Sequence, residues 1–266
     1  MKTTAYLCNT CGVQYEPLIE EPANCKICQD ERQYVNVNGQ SWTSLPSINQ
    51  QHKNIIEKVR DDLYALYTTP SFGIGQRAHL LLTPYGNILW DCISNLDEST
   101  IAIIRLLGGI KAIAISHPHY YGTMAEWSQR FDDIPVYIHA KDRAWLTRKD
   151  FNLVLWEEEE RALWPQIKLI NCGGHFDGGT ILHHADEDGT LLVGDVIQVC
   201  PDRRSVSFMY SYPNYIPLRK REILRIQQLL SPLHYRYMYG AFGHYLKDNA
   251  KDITEYSLKR YLRIYE

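Results

Sequence analysis

The sequence predicts an α/β protein in two unequal parts: a small four-cysteine metal-binding module, then a larger domain of alternating strands and helices. Three observations carry this. The chain has 266 residues, more than one minimal domain requires. Four of its seven cysteines fall into two C-x-x-C pairs close to the N-terminus. From about Gln40 onward, short apolar runs alternate with amphipathic stretches. We divide the chain at residues 1–40 and 41–266.

Composition narrows the function classes. A hydrophobic fraction of 45% against 22% charged residues, with 19 tyrosines, is that of a folded globular protein and argues against disorder. The net charge of −3 and the lack of a long basic block give no electrostatic basis for binding nucleic-acid phosphates. The first residues, Met1 to Cys8, lack the continuous apolar run of a signal peptide or membrane anchor. A cytoplasmic protein with a small-molecule partner, and no membrane association, is expected.

In the module, Cys8-Asn9-Thr10-Cys11-Gly12 and Cys25-Lys26-Ile27-Cys28 each place two thiolates at the ends of a tight turn, and two such turns complete a tetrahedron around one ion. A segment this short cannot bury enough apolar surface to fold alone, so metal binding would supply much of its folding free energy. The stretch from Cys8 to Tyr15 resembles the first half of a rubredoxin or zinc ribbon. Zinc in the cage makes the module structural, whereas iron could carry an electron. Zinc is the favoured reading. Cys92, Cys172 and Cys200 are isolated in apolar surroundings and read as small core residues.

The elements of the larger part follow in order. Asp61 to Thr68 and Arg77 to Thr83 read as strands, with the turn Pro84-Tyr85-Gly86-Asn87 leading to Ile88-Leu89-Trp90. Asp97 caps a helix to about Leu107, Gly108-Gly109 ends it, and Ile110 to Ile115 is a buried strand that stops at Ser116-His117-Pro118-His119. A helix over about Thr123 to Arg130 and strands at Val136 to His139 and Ile167 to Ile170 come next. Gly178 to His183 and Leu191 to Val193 form a hairpin around Asp186-Glu187-Asp188-Gly189. After an irregular aromatic stretch from Pro201 to Tyr215, helices close the chain at Leu218 to Leu230 and Asp248 to Tyr265. The charge runs Glu157 to Glu160 and Arg219 to Arg221 read as solvated surface.

Chemistry concentrates at the strand ends. His117 and His119 sit just past a buried strand, with Pro118 holding the backbone extended between them. His175 follows Gly173-Gly174, whose freedom allows a sharp turn. Asp195 follows the strand Leu191-Leu192-Val193 and Gly194, and His244 follows Ala241-Phe242-Gly243 in the same relation to Tyr237-Met238-Tyr239. Three neutral imidazoles make a good zinc site. His52, His79, His139, His183, His184 and His234 read as structural or surface residues.

This order of motifs, His-x-His after a strand, Gly-Gly-His, Gly-Asp after a hairpin and Gly-His near the C-terminus, resembles the metallo-β-lactamase superfamily from about Trp42 to Glu266. The resemblance implies a four-layer αβ/βα sandwich with its metals at one edge between two sheets, and metal-assisted hydrolysis. The family's usual motif is His-x-His-x-Asp-His. Here Tyr121 stands at the Asp position and Gly122 at the second-metal His position, so the resemblance implies one active-site metal, carried by His117, His119 and His175 with Asp195 close by.

A zinc ion so held, with an open position, lowers the pKa of bound water from 15.7 to about 7 and polarises a carbonyl. Asp195 is the candidate for a further ligand or a base, and Tyr121 for a hydrogen-bond donor to substrate or developing negative charge. His244 is a leftover second-site ligand, a general acid or a substrate contact. The segment with Arg203, Arg204 and Tyr210 is expected to pass over the site and to bind an anionic, partly apolar substrate. The leading function is hydrolysis of a small ester, thioester or lactone by one zinc. Two alternatives stay open. One is a catalytically silent relative that binds a metabolite or protein, with the module as an interaction or homodimer surface. The other is an iron-based redox protein, against which no flavin-binding fingerprint appears.

Overall fold

The computed structural model describes residues 3–266; Met1 and Lys2, at the start of the N-terminal segment read above, lie outside the described residues. The module is built on a three-stranded sheet. Thr4–Cys8 is its centre, paired antiparallel with Gln14–Leu18 on one side and with Trp42–Ser44 on the other. The two cysteine turns bring their sulfurs together: Cys8 Sγ lies 3.6 Å from Cys28 Sγ, and Cys11 Sγ 3.6 Å from Cys25 Sγ. Four thiolates bonded to one zinc at ~2.3 Å stand about 3.8 Å apart. The geometry is that of a four-sulfur cage, and all four cysteines are buried.

The larger part stacks two sheets face to face between helices. One sheet has seven strands in the order Leu153–Trp156, Val136–His139, Ala112–Ala114, Ile88–Trp90, Ala78–Leu81, Leu63–Thr69 and Lys53–Arg60. Its first four strands are parallel and the rest antiparallel. The other sheet has six, in the order Glu160–Trp164, Ile167–Asn171, Thr180–His184, Thr190–Gly194, Tyr237–Gly240 and Tyr245–Leu246. Between them lies a core of Leu63, Leu81, Ile88, Trp90 and Ala114 against Ile167, Leu169, Leu182, Leu192 and Tyr239.

Each outer face needs a cover, because the strands are apolar on both sides. On the seven-stranded sheet, helices Glu98–Leu106 and Met124–Arg130 supply Ile101, Ile104, Met124 and Trp127. On the six-stranded sheet, Lys220–Leu230 and Ala250–Leu262 supply Ile223, Ile226, Leu230 and Leu258. The result is the αβ/βα sandwich that the resemblance implies. The Asp97 carboxylate accepts from Thr100 N–H at 2.8 Å as a helix cap, an interaction that stabilises by about 1 kcal/mol. No helix among the described residues is long and apolar enough to cross a membrane.

The structure adds strands that the sequence reading passed over. Lys53–Arg60 pairs with Leu63–Thr69 as a hairpin around Asp61-Asp62. Leu153–Trp156 and Glu160–Trp164 belong to different sheets, and the exposed Glu157 to Glu160 run lies where the chain crosses between them. Pro118–Tyr120 is a short 3-10 turn rather than extended chain, with proline at its first position, where the missing N–H costs nothing.

The module is docked, not tethered. Its Cys8, Val13 and Ile27 share one core with Cys92, Ile93, Tyr121 and Trp127. The outer edge of strand Gln14–Leu18 is covered, since Gln14 N–H donates to Gly122 O at 3.0 Å and Glu16 N–H to Thr147 O at 3.1 Å. Lys26 Nζ donates to Ala144 O and Leu146 O, each at 2.8 Å, and Ser94 Oγ donates to Gly12 O at 2.8 Å.

Candidate metal centre

Four side chains from both sheets converge. His117 and His119 come from the turn after Ala112–Ala114, His175 from the loop after Ile167–Asn171, and Asp195 from the end of Thr190–Gly194. Gly173 and Gly174, at φ +69° and +85°, make the turn that delivers His175. One donor atom from each of the four lies within 4.8 Å of the others, and all four residues are buried. His119 Nδ1 is 3.3 Å from His175 Nε2, and His117 Nε2 is 3.6 Å from Asp195 Oδ2. Two nitrogens sharing a tetrahedral zinc at ~2.0–2.1 Å would be about 3.3 Å apart.

The surroundings aim these atoms. His175 Nδ1 faces the carbonyls of Tyr210 at 2.9 Å and Met209 at 3.2 Å, which only accept, so Nδ1 carries the proton and Nε2 presents its lone pair. His117 Nδ1 is engaged by Ser116 Oγ at 2.8 Å, which in turn lies 3.0 Å from Asp91 Oδ2. Gln76 Nε2 donates to Asp195 Oδ2 at 2.7 Å. His117 Nε2 and Asp195 Oδ1 are buried without a hydrogen-bond partner. Buried polar atoms are rarely left so, and a cation among them accounts for the pattern. Burial, then the neighbouring imidazole of His117, holds His119 well below the usual histidine range and His175 down to about 3. Neutral imidazole is the form that ligates a metal. The residues fit one metal ion.

Above the cluster is a cavity of about 210 Å³, lined by Gly73, Ile74, Tyr212, Pro213 and Phe242 and by three module residues, Arg32, Gln33 and Tyr34. The Arg32 guanidinium is bound by Asp30, with Nε 2.5 Å from Oδ1 and Nη2 2.9 Å from Oδ2, and lies 4.0 Å over the Phe176 ring. Tyr212 donates to Asp195 O at 3.1 Å.

Gly122 has little room for a side chain. Gly122 sits at φ +42°, and a Cβ there would lie 3.0 Å from Cys92 O and 3.1 Å from Ile93 C. The space beside it, shared by Cys11, Gln76, Cys92 and His119, is about 20 Å³, room for about one water molecule.

Other residues singled out from the sequence lie elsewhere. Tyr121 is buried and donates to Asp142 O at 3.2 Å, so its hydroxyl is committed to the backbone. His244 is half-buried and is not among the converging four. Arg203 and Arg204 are exposed in a turn and do not line the cavity, whereas Phe208 is buried in the core and Tyr212 lines the site. Tyr210 donates to Glu31 Oε1 at 2.8 Å and lies under Arg32 at 5.2 Å. Gln76 and the Arg32-Gln33-Tyr34 segment carry no spacing signal that would have marked them.

No protein-family model matches the chain. The uncharacterized protein YmaE of Bacillus subtilis (strain 168) is 44% identical over 263 residues, covering 97% of this chain and 96% of YmaE. A crystal structure of the metallo-β-lactamase DIM-1 superposes with a TM-score of 0.59 at 14% identity, over 79% of this chain and 98% of that one. The chain is a metallo-β-lactamase-fold protein of the YmaE family. The N-acyl homoserine lactonase AiiB of Rhizobium rhizogenes (strain K84) is 31% identical over 107 residues, 39% of this chain and 38% of AiiB. In this YmaE-family chain the four-cysteine cage lies in the same body as the lactamase-type sandwich, sharing its core.

Proposed function

We propose that this chain is a metal-dependent hydrolase of a small ester, thioester or lactone, with one zinc ion held by His117, His119 and His175 and a second, structural zinc in the cysteine cage. The observation that carries the reading is the convergence of three imidazoles and a carboxylate within 4.8 Å, with buried donor atoms that lack any protein partner. Likeness to a protein named as a lactonase supports the substrate class. Bound there, the ion supplies Lewis acidity toward a carbonyl and acidifies water.

The chain's own groups do the rest. Gln76 fixes one oxygen of Asp195 and leaves the other free, which suits Asp195 to ligate or to take a proton from attacking water. Tyr212 holds the Asp195 backbone in place. Tyr34, Ile74, Tyr212 and Phe242 offer apolar contact to an acyl group. The one cation lining the cavity among the described residues, Arg32, is already paired with Asp30, which favours an uncharged substrate over the anion that Arg203 and Arg204 suggested.

The test counts metals and turnover together. Protein purified without a histidine tag should carry two zinc ions per chain, falling to one in His117→Ala, and should hydrolyse members of an ester, thioester and lactone panel that the variant does not. Absence of turnover across the panel with the metal in place would move the assignment to a binding protein.

A further inference from the structure

We infer that the four-cysteine module is a working wall of the active-site cavity: Gln33 donates a hydrogen bond to the bound acyl compound and Tyr34 limits the length of its chain. The inference rests on the hydrolase reading for its substrate class, small uncharged acyl compounds, and adds residues from outside the lactamase-type sandwich to their recognition.

The wall begins at the cage itself. Gln29 N–H donates to Cys25 O at 3.0 Å and Gln33 N–H to Asp30 O at 3.0 Å, so the chain leaves the second cysteine turn in a continuous series of tight turns. Arg32 then locks the segment over the site. It is tied to Asp30 and stacked on Phe176, and its Nη1 reaches His175 O at 3.5 Å. From the other side, Asn214 Nδ2 donates to Glu31 O at 2.8 Å and to Gln33 O at 3.2 Å. The segment from Asp30 to Gln33 is thus held from both sides.

What it presents is specific. Gln33 is only 4% exposed, yet it lines the cavity beside His119, His175 and Asp195. Its Oε1 accepts from Tyr34 N–H at 3.2 Å, which leaves the amide nitrogen as its free polar group. That nitrogen has no protein partner, and an acyl oxygen in the cavity would accept from it. Tyr34 lines the same cavity with its side chain half in solvent, at the mouth. At about 210 Å³ the space is below the ~300 Å³ at which pockets for drug-sized ligands begin.

The test uses full-length, zinc-loaded protein and straight-chain hydroxamic acids from acetyl to octanoyl, metal-binding probes whose affinity does not depend on turnover. Calorimetry should show affinity falling beyond the butyryl member in the wild type. Tyr34→Ala should bind the octanoyl member at least about tenfold more tightly than wild type, since each buried methylene contributes roughly fourfold. Gln33→Leu should weaken every member about fivefold, the usual worth of one hydrogen bond. Both variants should keep two zinc ions per chain. A Tyr34→Ala profile that superposes on the wild type, unchanged binding by Gln33→Leu, or no binding of any member to the wild type would each overturn the inference. The expected profiles without hydrolysis of any ester or lactone would sink the hydrolase reading and leave the wall standing.

Discussion

Gly122 is where the module, the metal turn and the position of the family motif's last histidine meet, and a single methyl group there tests all three. In Gly122→Ala the new Cβ must adopt a left-handed backbone, at about 1–2 kcal/mol. It also meets Cys92 O at 3.0 Å and Ile93 C at 3.1 Å, backbone atoms that cannot rotate aside. Overpacking of this kind costs about 1–3 kcal/mol. The sum is about 2–5 kcal/mol. With unfolding entropy of roughly 2.1 cal/mol/K per residue, a chain of this length shifts its Tm by about 2 °C per kcal/mol, so scanning calorimetry of the zinc-loaded protein should find the variant melting about 4–10 °C lower. Gly122→His should be at least as unstable and should bind no additional metal. A Gly122→Ala protein that melts with the wild type, or a Gly122→His protein that gains a third metal ion per chain, would refute the reasoning that packing leaves little room for a side chain at Gly122.

Two further outcomes follow from buried groups beside the site. Burial pushes the Asp142 carboxyl up to about 7 from 3.8, so between those values the unfolded chain releases a proton that the folded one keeps; stability therefore falls as pH rises through that window, by about 4 kcal/mol at most at ~1.4 kcal/mol per pH unit. Asp142→Asn keeps an acceptor for Gly178 N–H, and its advantage over wild type in urea unfolding should grow from pH 4 to pH 7; parallel curves would mean Asp142 is ionised throughout. Because the Tyr121 hydroxyl is spent on Asp142 O, Tyr121→Phe should cost about 1 kcal/mol of stability and leave kcat/KM unchanged, and a large loss of turnover would return that hydroxyl to the reaction.

The parts of this molecule that were legible in the sequence are those whose chemistry is local. Two C-x-x-C turns set four sulfurs within a few residues of backbone, and the cage followed. His117, His119, His175 and Asp195 were each marked by a strand end or a glycine pair, and the topology that joins those ends is carried by the alternation of strands and helices. Lys53–Arg60 escaped notice because it is an edge strand whose exposed Lys53, Glu57 and Lys58 dilute the apolar alternation. The cavity wall could not be read at all. Arg32, Gln33 and Tyr34 reach the site only because the module docks, and no periodicity encodes the meeting of two surfaces. Tyr121 and Arg203 differ in another way: each looked reactive by type and position, and the folded chain gives the first a carbonyl partner and turns the second into solvent.

Four of the bonds that seat the module end on main-chain oxygens, those of Gly122, Ala144, Leu146 and Thr147, while the Thr147 hydroxyl donates to Gln14 O and Arg148 Nη1 to Gln14 Oε1. A carbonyl is present whatever side chain its residue bears, so these four anchors, unlike the bonds of Thr147 Oγ1 and Arg148 Nη1, are indifferent to point substitution along the receiving loop. They are not indifferent to its length. Three of the four acceptors fall within residues 144–147, and one inserted residue before them would carry all three out of register at once. A surface loop ordinarily accommodates insertions more readily than the core does. Here the roles are exchanged: this loop has its length pinned by the cage on the other side of the seam, and its Thr147 and Arg148 side chains are pinned with it.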